Sequence, residues 1–172
     1  MCFCPDGVII YLYRFSIVCM YDIRFIDSDE WDEAMTLSYE TFLQFDAPMF
    51  TQNGIAGFVA FLQDENIKRE FDEGSYYVVG AYEFNKLVGV ISLRDKNHIS
   101  LLFVEKNHLR KGIGRQLIME TMAFARTRLR QKIITVNSSP YAVEFYKSCG
   151  FIEAGEEVDA GGIQYTPMEY YF

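Results

Sequence analysis

The chain has 172 residues, the length of one ordinary domain with at most an appendage. Half of the residues are hydrophobic and 16% are aromatic, which excludes general disorder because this much apolar surface can form a core. Sixteen basic residues against twenty-four acidic ones leave a formal net charge of −8. This charge argues against a protein that binds nucleic acid or anionic lipid.

The cysteines indicate reduced thiols and not a disulfide framework or a zinc site. No two of the four have C-x-x-C spacing. A zinc site needs about four well-spaced Cys or His ligands, and the chain has only two histidines, His98 and His108. We therefore expect no metal and a cytoplasmic location.

The first nineteen residues differ in pattern from the rest of the chain. They are apolar and aromatic, they have no basic n-region, and Arg14 interrupts their apolar run. We therefore predict neither a signal peptide nor a membrane anchor. Periodic structure begins after Met20, so residues 1–19 are interpreted as an N-terminal extension of unknown role and residues 20–172 as one domain.

The first half of the domain predicts a strand, two helices and three strands. Asp27 and its neighbours can cap the first helix, and apolar spacing at i, i+3, i+4 and i+7 from Ile55 predicts the second. Polar turns separate the strands that follow. The predicted elements are a strand Tyr21–Ile26, a helix carrying Trp31 to Phe45, a helix from Ile55 to about Phe71, and strands Ser75–Tyr82, Leu87–Leu93 and Ile99–Val104.

The second half predicts a helix, a strand, a short helix and a closing hairpin. Ser139 and Pro140 have the residue types of an N-cap and a first helical position, and Gly150 is suited to end that helix. The predicted elements are a helix from about Gly112 to Arg130, a strand Ile133–Asn137, a helix from Pro140 to Ser148, and strands Phe151–Val158 and Ile163–Tyr170. This order predicts an α/β fold with a mixed sheet flanked by helices.

The segment Leu109–Arg115 carries the main chemical signal. It follows a predicted strand and opens a helix, where free N–H groups and the helix dipole attract phosphate. It lacks the G-K-[ST] of a P-loop, and Leu117 stands where a dinucleotide fingerprint needs its third glycine. The competing interpretation is that the two glycines merely start a helix and that the side chains of Arg110 and Lys111 are solvated.

The net charge conceals a strong asymmetry. From Lys106 to Lys132 there are eight basic side chains and a single acid, Glu120. This segment carries +7 and the remainder of the chain carries −15. We therefore expect a polyanion to bind at this segment.

These residues, with Asn137–Tyr146 and Cys149–Phe151, resemble the GNAT acetyltransferase family over about residues 21–172. The acyl-CoA signature of the family, Gln/Arg-x-x-Gly-x-Gly/Ala, falls on Leu109–Gly114. Both glycines match, and Leu109 stands where Gln or Arg is usual. The resemblance implies a mostly antiparallel twisted sheet with a splayed strand pair and about four helices, with acetyl-CoA as cosubstrate.

The resemblance also implies where acetyl-CoA binds. The pantetheine arm would enter between the strand ending at Val104 and the strand ending at Asn137, where a main-chain N–H near Phe103 could polarise the thioester carbonyl. The implied acyl-CoA-binding residues are Leu102, Phe103, Val104, Leu109, Arg110, Lys111, Gly112, Ile113, Gly114, Arg115, Asn137, Ser139 and Tyr146.

Two residues are candidates for proton transfer. Tyr146 matches the family tyrosine that protonates the departing thiolate, although a core aromatic pair with Phe145 is the alternative. His98 lies fourteen residues ahead of Gly112, where some members carry a glutamate base, although an ordinary turn residue after Asp95-Lys96-Asn97 is the rival interpretation. Many members of the family use a water chain as the base instead. His108 is interpreted as solvated.

The sequence therefore predicts an acetyl-CoA-dependent N-acetyltransferase acting on a primary amine. In this family the first two helices and the last hairpin select the acceptor, and an acidic, aromatic rim would suit a cationic one. Core aromatics and solvated acids explain the same residues equally well. The rim residues are Trp31, Phe42, Phe45, Phe50, Phe58, Tyr165 and Tyr170 with Glu40, Asp46, Glu156, Glu157 and Asp159.

Two other functions stay open. One is a non-catalytic acyl-CoA-binding regulatory or interaction module of the same fold, which the departure at Leu109 favours. The other treats the basic segment as a nucleic-acid patch, against the overall charge. A homodimer is also left open.

Overall fold

Eight strands and five helices form the part of the chain that the computed structural model describes, residues 21–172. Residues 1–19, interpreted as an extension, lie outside these residues. The strands are β1 (Asp22–Phe25), β2 (Tyr77–Glu83), β3 (Lys86–Arg94), β4 (His98–Val104), β5 (Ile133–Ser138), β6 (Ile152–Glu153), β7 (Val158–Ala160) and β8 (Ile163–Tyr171). The helices are α1 (Trp31–Phe45), α2 (Gln52–Leu62), α3 (Glu65–Asp72), α4 (Ile113–Thr127) and α5 (Val143–Ser148).

The strands form a mixed sheet in the order β1-β2-β3-β4-β5-β8-β6, and β7 forms a hairpin with β8. All neighbouring strands are antiparallel except β4 and β5, which are parallel. The predicted α/β fold with a mostly antiparallel sheet is confirmed.

Each face of the sheet carries its own apolar core, because side chains alternate between the two faces along a strand. On β2, Val79 and Ala81 pack in the core that includes α4 and α5, whereas Val78 and Tyr82 pack in the core that includes α1. None of the helices in residues 21–172 has the length and apolar character that a membrane span requires.

A β-bulge bends β4 at the point where it leaves β5. Leu101 pairs with Ser92 and Ile99 with Leu93, so Ser100 is an extra residue in β4. The hydroxyl of Tyr76 lies 2.7 Å from Ser92 Oγ and 3.0 Å from Ser100 Oγ, which holds the bulge in place. Bulges bend and twist a strand, and this one precedes the separation of the parallel pair.

The parallel pairing of β4 and β5 is short. It is limited to His98 opposite Thr135 and Ile99 opposite Val136. Beyond these two pairs the strands diverge, and the segment 101–104 of β4 is paired on its β3 side alone. This separation is the splayed strand pair that the family resemblance implies.

Two predicted helix bounds are wrong. The single helix predicted as far as Phe71 is two helices, because Asp64 ends the first segment and caps α3 by accepting a hydrogen bond from the N–H of Asn66 (2.8 Å). The helix predicted from Pro140 begins at Val143, after a turn in which the N–H of Ala142 donates to Ser139 O (2.9 Å).

The closing hairpin is also shorter than predicted. The segment predicted as one strand, Phe151–Val158, contains β6 and the start of β7, which pair with different parts of β8. The residues between them, 154–157, are exposed. Without an apolar face to bury, this stretch does not remain in the sheet.

Candidate active site

A cleft of about 740 Å³ opens where β4 and β5 separate. Its walls come from both strands, the turn before α4, the helices α1, α2, α4 and α5, and the β7–β8 hairpin. Twelve of the thirteen residues predicted to bind acyl-CoA line this cleft, and the thirteenth, Lys111, is exposed beside them. The structure thus brings the predicted residues onto one surface.

The open edge of β4 presents main-chain groups to the cleft. The N–H of Glu105 donates to Val88 O (2.9 Å) on the β3 side. Since successive N–H groups of a strand alternate between its two edges, those of Leu102 and Val104 face the gap. These N–H groups can donate to a carbonyl that enters alongside the strand.

The glycine turn bends the chain sharply into α4. Gly112 has φ of 84°, in the left-handed region that glycine adopts without a Cβ clash, and α4 starts at the next residue. An added Cβ at Gly112 would meet nothing within 4 Å, whereas one at Gly114 would lie 3.2 Å from the Phe145 ring. The turn is therefore open on its outer side and closely packed against α5.

Cationic side chains surround the start of α4. Arg110 lines the cleft and is exposed, with φ of 61°. Arg115 also lines it and donates through Nη2 to Ser148 O (2.8 Å), which ties α4 to α5. Together with the N–H groups of the first helical turn, this end of α4 has the electrostatics of an anion site.

Tyr146 is buried in the cleft wall between two phenylalanines. Its ring centroid lies 5.5 Å from that of Phe145 and 5.3 Å from that of Phe151, both edge-on. Burial raises the pKa of Tyr146 well above the ordinary phenol range, and the thiol of Cys149 and the carboxylate of Asp46 raise it further. The raised pKa keeps the phenol protonated at neutral pH, so it can donate a proton.

His98 lies away from the cleft, at the end where β4 and β5 are paired. Its Nδ1 is 2.8 Å from Thr135 Oγ1, and the residue is not part of the cleft wall. Burial lowers the pKa of His98 to about 4, with a further reduction by Arg94 against the opposing effect of Asp95. Its role as base stays a prediction to which the geometry adds no support.

His108 is buried, so the interpretation of a solvated side chain is wrong. Its Nε2 lies 2.9 Å from Glu83 Oε2 and its Nδ1 lies 2.8 Å from Glu105 Oε2. Glu105 is also paired with Lys86 (2.7 Å). This cluster connects the turn before α4 to the β2–β3 hairpin.

Five of the seven aromatic residues predicted for the acceptor rim line the cleft. Phe42 stacks on Phe58 with ring centroids 3.9 Å apart, and Phe58 meets Phe103 of β4 edge-on at 5.8 Å. Trp31 and Tyr170 instead pack in the cores, Trp31 against Phe71 and Tyr170 against Phe151.

The predicted acidic rim separates into one buried residue and four exposed ones. Glu40, Glu156, Glu157 and Asp159 are exposed. Asp46 is 8% exposed and lies in the cleft wall. The sequence carries no signal for this burial, since Asp46 follows α1 at a position where exposed polar residues are common.

Comparison with known proteins agrees with this geometry. A profile of the acetyltransferase (GNAT) domain matches residues 46–172, most of the chain. The chain belongs to the GNAT acetyltransferase family. Its members are acyltransferases, so this protein is an acyltransferase of the same fold.

Solved structures share the fold at low sequence identity. A GCN5-related N-acetyltransferase from Rhodopseudomonas palustris superposes with a TM-score of 0.75 at 20% identity, over 88% of this chain and 95% of that one. PaiA N-acetyltransferase from Thermoplasma acidophilum, in complex with coenzyme A, superposes with a TM-score of 0.70 at 18% identity, over 88% of this chain and 99% of that one. Spermidine N-acetyltransferase from Vibrio cholerae, in complex with CoA and spermine, superposes with a TM-score of 0.63 at 19% identity, over 88% of this chain and 95% of that one.

No cluster of three or more His, Cys, Asp or Glu side chains within residues 21–172 is arranged to hold a metal ion.

Proposed function

We propose that this protein is an acetyl-CoA-dependent N-acetyltransferase that acetylates a primary amine by direct attack in a ternary complex. One observation carries the proposal. A single cleft joins the cationic glycine turn, the open edge of β4 and the buried phenol of Tyr146. These are the groups needed to hold a diphosphate, to align a thioester and to protonate a thiolate.

In this proposal the start of α4 binds the diphosphate of CoA. Main-chain N–H groups of the turn and of the first helical turn donate to the phosphate oxygens, and Arg110 and Arg115 add charge. Main-chain contacts do not depend on the side chain at position 109. The leucine there removes one side-chain contact and leaves the others.

The pantetheine arm then lies along β4, with the acetyl group near Tyr146. An N–H of Leu102 or Val104 donates to the thioester oxygen and stabilises the negative charge that develops there. Asn137 and Ser139 form the opposite wall. Tyr146 gives its proton to the thiolate as the carbon–sulfur bond breaks.

The test is release of free CoA thiol from acetyl-CoA in the presence of a panel of primary amines, with mass spectrometry of the product. Amine-dependent release with formation of an amide supports the proposal. A rise in Tm on adding acetyl-CoA without thiol release on any amine would support the non-catalytic binding module. Salt-sensitive binding of DNA or RNA that acetyl-CoA does not displace would support the nucleic-acid alternative.

The described residues that line the cleft all belong to one chain. The homodimer that the sequence left open is tested by sedimentation velocity. The cytoplasmic location, inferred from the cysteine pattern, stays a prediction.

A further inference from the structure

Asp46 combines features that are unfavourable for stability. The residue is 8% exposed, and its Oδ1 has no hydrogen-bond partner among the residues that the structure describes. Ser139 offers the carboxylate a hydrogen bond, but desolvation outweighs this contact and raises the pKa of Asp46. A buried and incompletely paired carboxylate destabilises a fold.

The position on α1 adds to this cost. Asp46 is the C-cap of α1, where the helix dipole disfavours negative charge, and the last turn of α1 contains no basic residue. Its side chain is not needed to end the helix, since the main-chain N–H of Asp46 makes the capping bond to Phe42 O (3.0 Å). An asparagine would serve the fold equally well.

The surroundings of Asp46 match a ligand that is cationic and partly apolar. Asp46 is the one acidic side chain among the described residues that line the cleft. Phe45, Phe50 and Phe42 line the same wall, and Phe42 lies 5.6 Å from Phe50 between ring centroids. Aromatic faces and a carboxylate together attract an alkylammonium group.

We propose that Asp46 binds the ammonium group of the acceptor and takes the proton that must leave before attack. This inference rests on the proposed function and deepens it. The acceptor class is a primary alkylamine that is protonated at neutral pH and carries an apolar segment next to the amine. Asp46 and Tyr146 line the same cleft, so the acceptor and the thioester would be held together there.

The proton balance of the step is complete. Asp46 takes one proton from the ammonium, and the neutral amine forms a bond to the acetyl carbon of the thioester. When the carbon–sulfur bond breaks, the thiolate takes the proton of Tyr146, and the second proton lost by the nitrogen returns to Tyr146. Asp46 releases its proton to solvent, so ammonium and acetyl-CoA yield amide, CoA thiol and one proton.

The test compares Asp46→Asn with wild type on two amines. For an alkylamine that is protonated at pH 7.5, such as hexylamine, we expect kcat/KM to fall by about 100-fold or more. For methoxyamine, which is neutral at that pH, we expect a change below about 3-fold, because no proton must leave first. We expect the Tm of the variant to be equal to or higher than that of wild type, since a buried charge is removed.

Glu33→Gln provides the matched control, because Glu33 is an exposed carboxylate of α1 outside the cleft wall. We expect Glu33→Gln to leave kcat/KM unchanged for both amines. An equal loss on both amines together with a lower Tm for Asp46→Asn would overturn the proposal and show a structural role. An unchanged rate on both amines would also overturn it. If wild type turns over no amine while acetyl-CoA still raises its Tm, the proposed function itself has failed.

Discussion

Among single residues, Tyr146 gives the sharpest test of the proposed chemistry. Tyr146→Phe removes one hydroxyl and keeps the ring that packs against Phe145 and Phe151. We expect kcat to fall by about 10²- to 10⁴-fold, because the thiolate loses its proton donor. Thiol release at saturating acetyl-CoA measures the change.

Tyr77→Phe is the control for loss of a phenol, because Tyr77 is half-buried on β2, packs against Phe124 and lies outside the cleft wall. Its turnover should equal that of wild type. If Tyr146→Phe keeps full turnover on every accepted amine, Tyr146 is a packing residue and the acid must be sought elsewhere.

His98 should influence stability more than turnover. Its folded pKa of about 4 lies below the ordinary value of 6.5, so the unfolded chain binds the proton more tightly. The contribution of neutral His98 to the free energy of unfolding is complete above about pH 6.5 and is lost as pH falls towards 4. One proton contributes a slope of at most about 1.4 kcal/mol per pH unit.

His98→Gln removes this slope, so its free energy of unfolding should change less than that of wild type between pH 7 and pH 4.5. Urea titrations at several pH values measure this difference. Turnover of the variant should remain within about 2-fold, because the side chain is not on the cleft wall. If His98→Gln instead caused a large loss of kcat/KM and abolished the fall of kcat/KM at acidic pH, His98 would be established as the base.

The residues that the sequence predicted best are those with a local pattern. The glycines at 112 and 114 mark a helix start by themselves, and Tyr146 follows from the motif around it. The burial of Asp46 and His108 depends on partners far away in sequence. His108 contacts the nearby Glu105 and also Glu83 of the β2–β3 hairpin, 25 residues away, and no local pattern encodes the contact with Glu83.

At the level of elements, α2 and the β7–β8 hairpin are held together by a close backbone contact. The N–H of Thr51 donates to Gly162 O (3.1 Å), and a Cβ added at Gly54 would lie 2.4 Å from the same oxygen. This contact fixes one side of the cleft, since α2 and the hairpin both contribute to its wall.

Two alanine substitutions in α2 distinguish the effect of this contact on the free energy of unfolding from the effect of helix propensity. Gly54→Ala should lower the free energy of unfolding by about 1–3 kcal/mol, because backbone must move to admit the methyl group. Gly57→Ala should raise it by about 0.5–1 kcal/mol, since its Cβ would meet nothing within 4 Å and alanine favours the helix.

Equilibrium urea unfolding of both variants measures the difference. We also expect Gly54→Ala to raise KM for the amine while the Kd for acetyl-CoA stays unchanged. Equal stability changes in the two variants would show that the contact between α2 and the hairpin is not rigid.

The type of each element could be predicted from the hydrophobic periodicity of the sequence. The residues at which elements end depend on tertiary contacts. Six strands and the long helix α4 lie close to their predicted bounds, because their apolar faces are continuous in sequence. The break at Asp64 was missed because the apolar spacing continues across it. The bulge at Ser100, which precedes the separation of β4 from β5, contacts the hydroxyl of Tyr76 far away in sequence and leaves no local signal.

For the whole molecule, the structure divides the basic segment that the sequence showed as one unit. Lys106, Arg110, Lys111 and Arg115 precede or begin α4, whereas Arg126, Arg128, Arg130 and Lys132 end or follow it. A 15-residue helix is about 22 Å long, so the two groups are separated by more than a Debye length at physiological salt. Arg110 and Arg115 of the first group line the cleft, whereas the second group lies outside its wall and complements the dipole at the helix C-terminus.

Arg110 and Arg130 form a matched pair for testing this division. Both are exposed, both have left-handed backbone (φ of 61° and 59°), and they flank opposite ends of α4. Arg110→Gln should weaken acetyl-CoA binding by about 3- to 10-fold at low salt, as expected for one exposed charge-assisted contact of about 1 kcal/mol. Arg130→Gln changes the net charge equally and should leave the Kd unchanged.

Isothermal titration at two salt concentrations measures both effects. The difference between the two variants should narrow at high salt, because screening weakens the contact between Arg110 and the phosphates. Equal losses of affinity would mean that acetyl-CoA responds to total charge and not to its placement. In that case the turn before α4 would not be the anion site, and the diphosphate would have to bind elsewhere on the cleft.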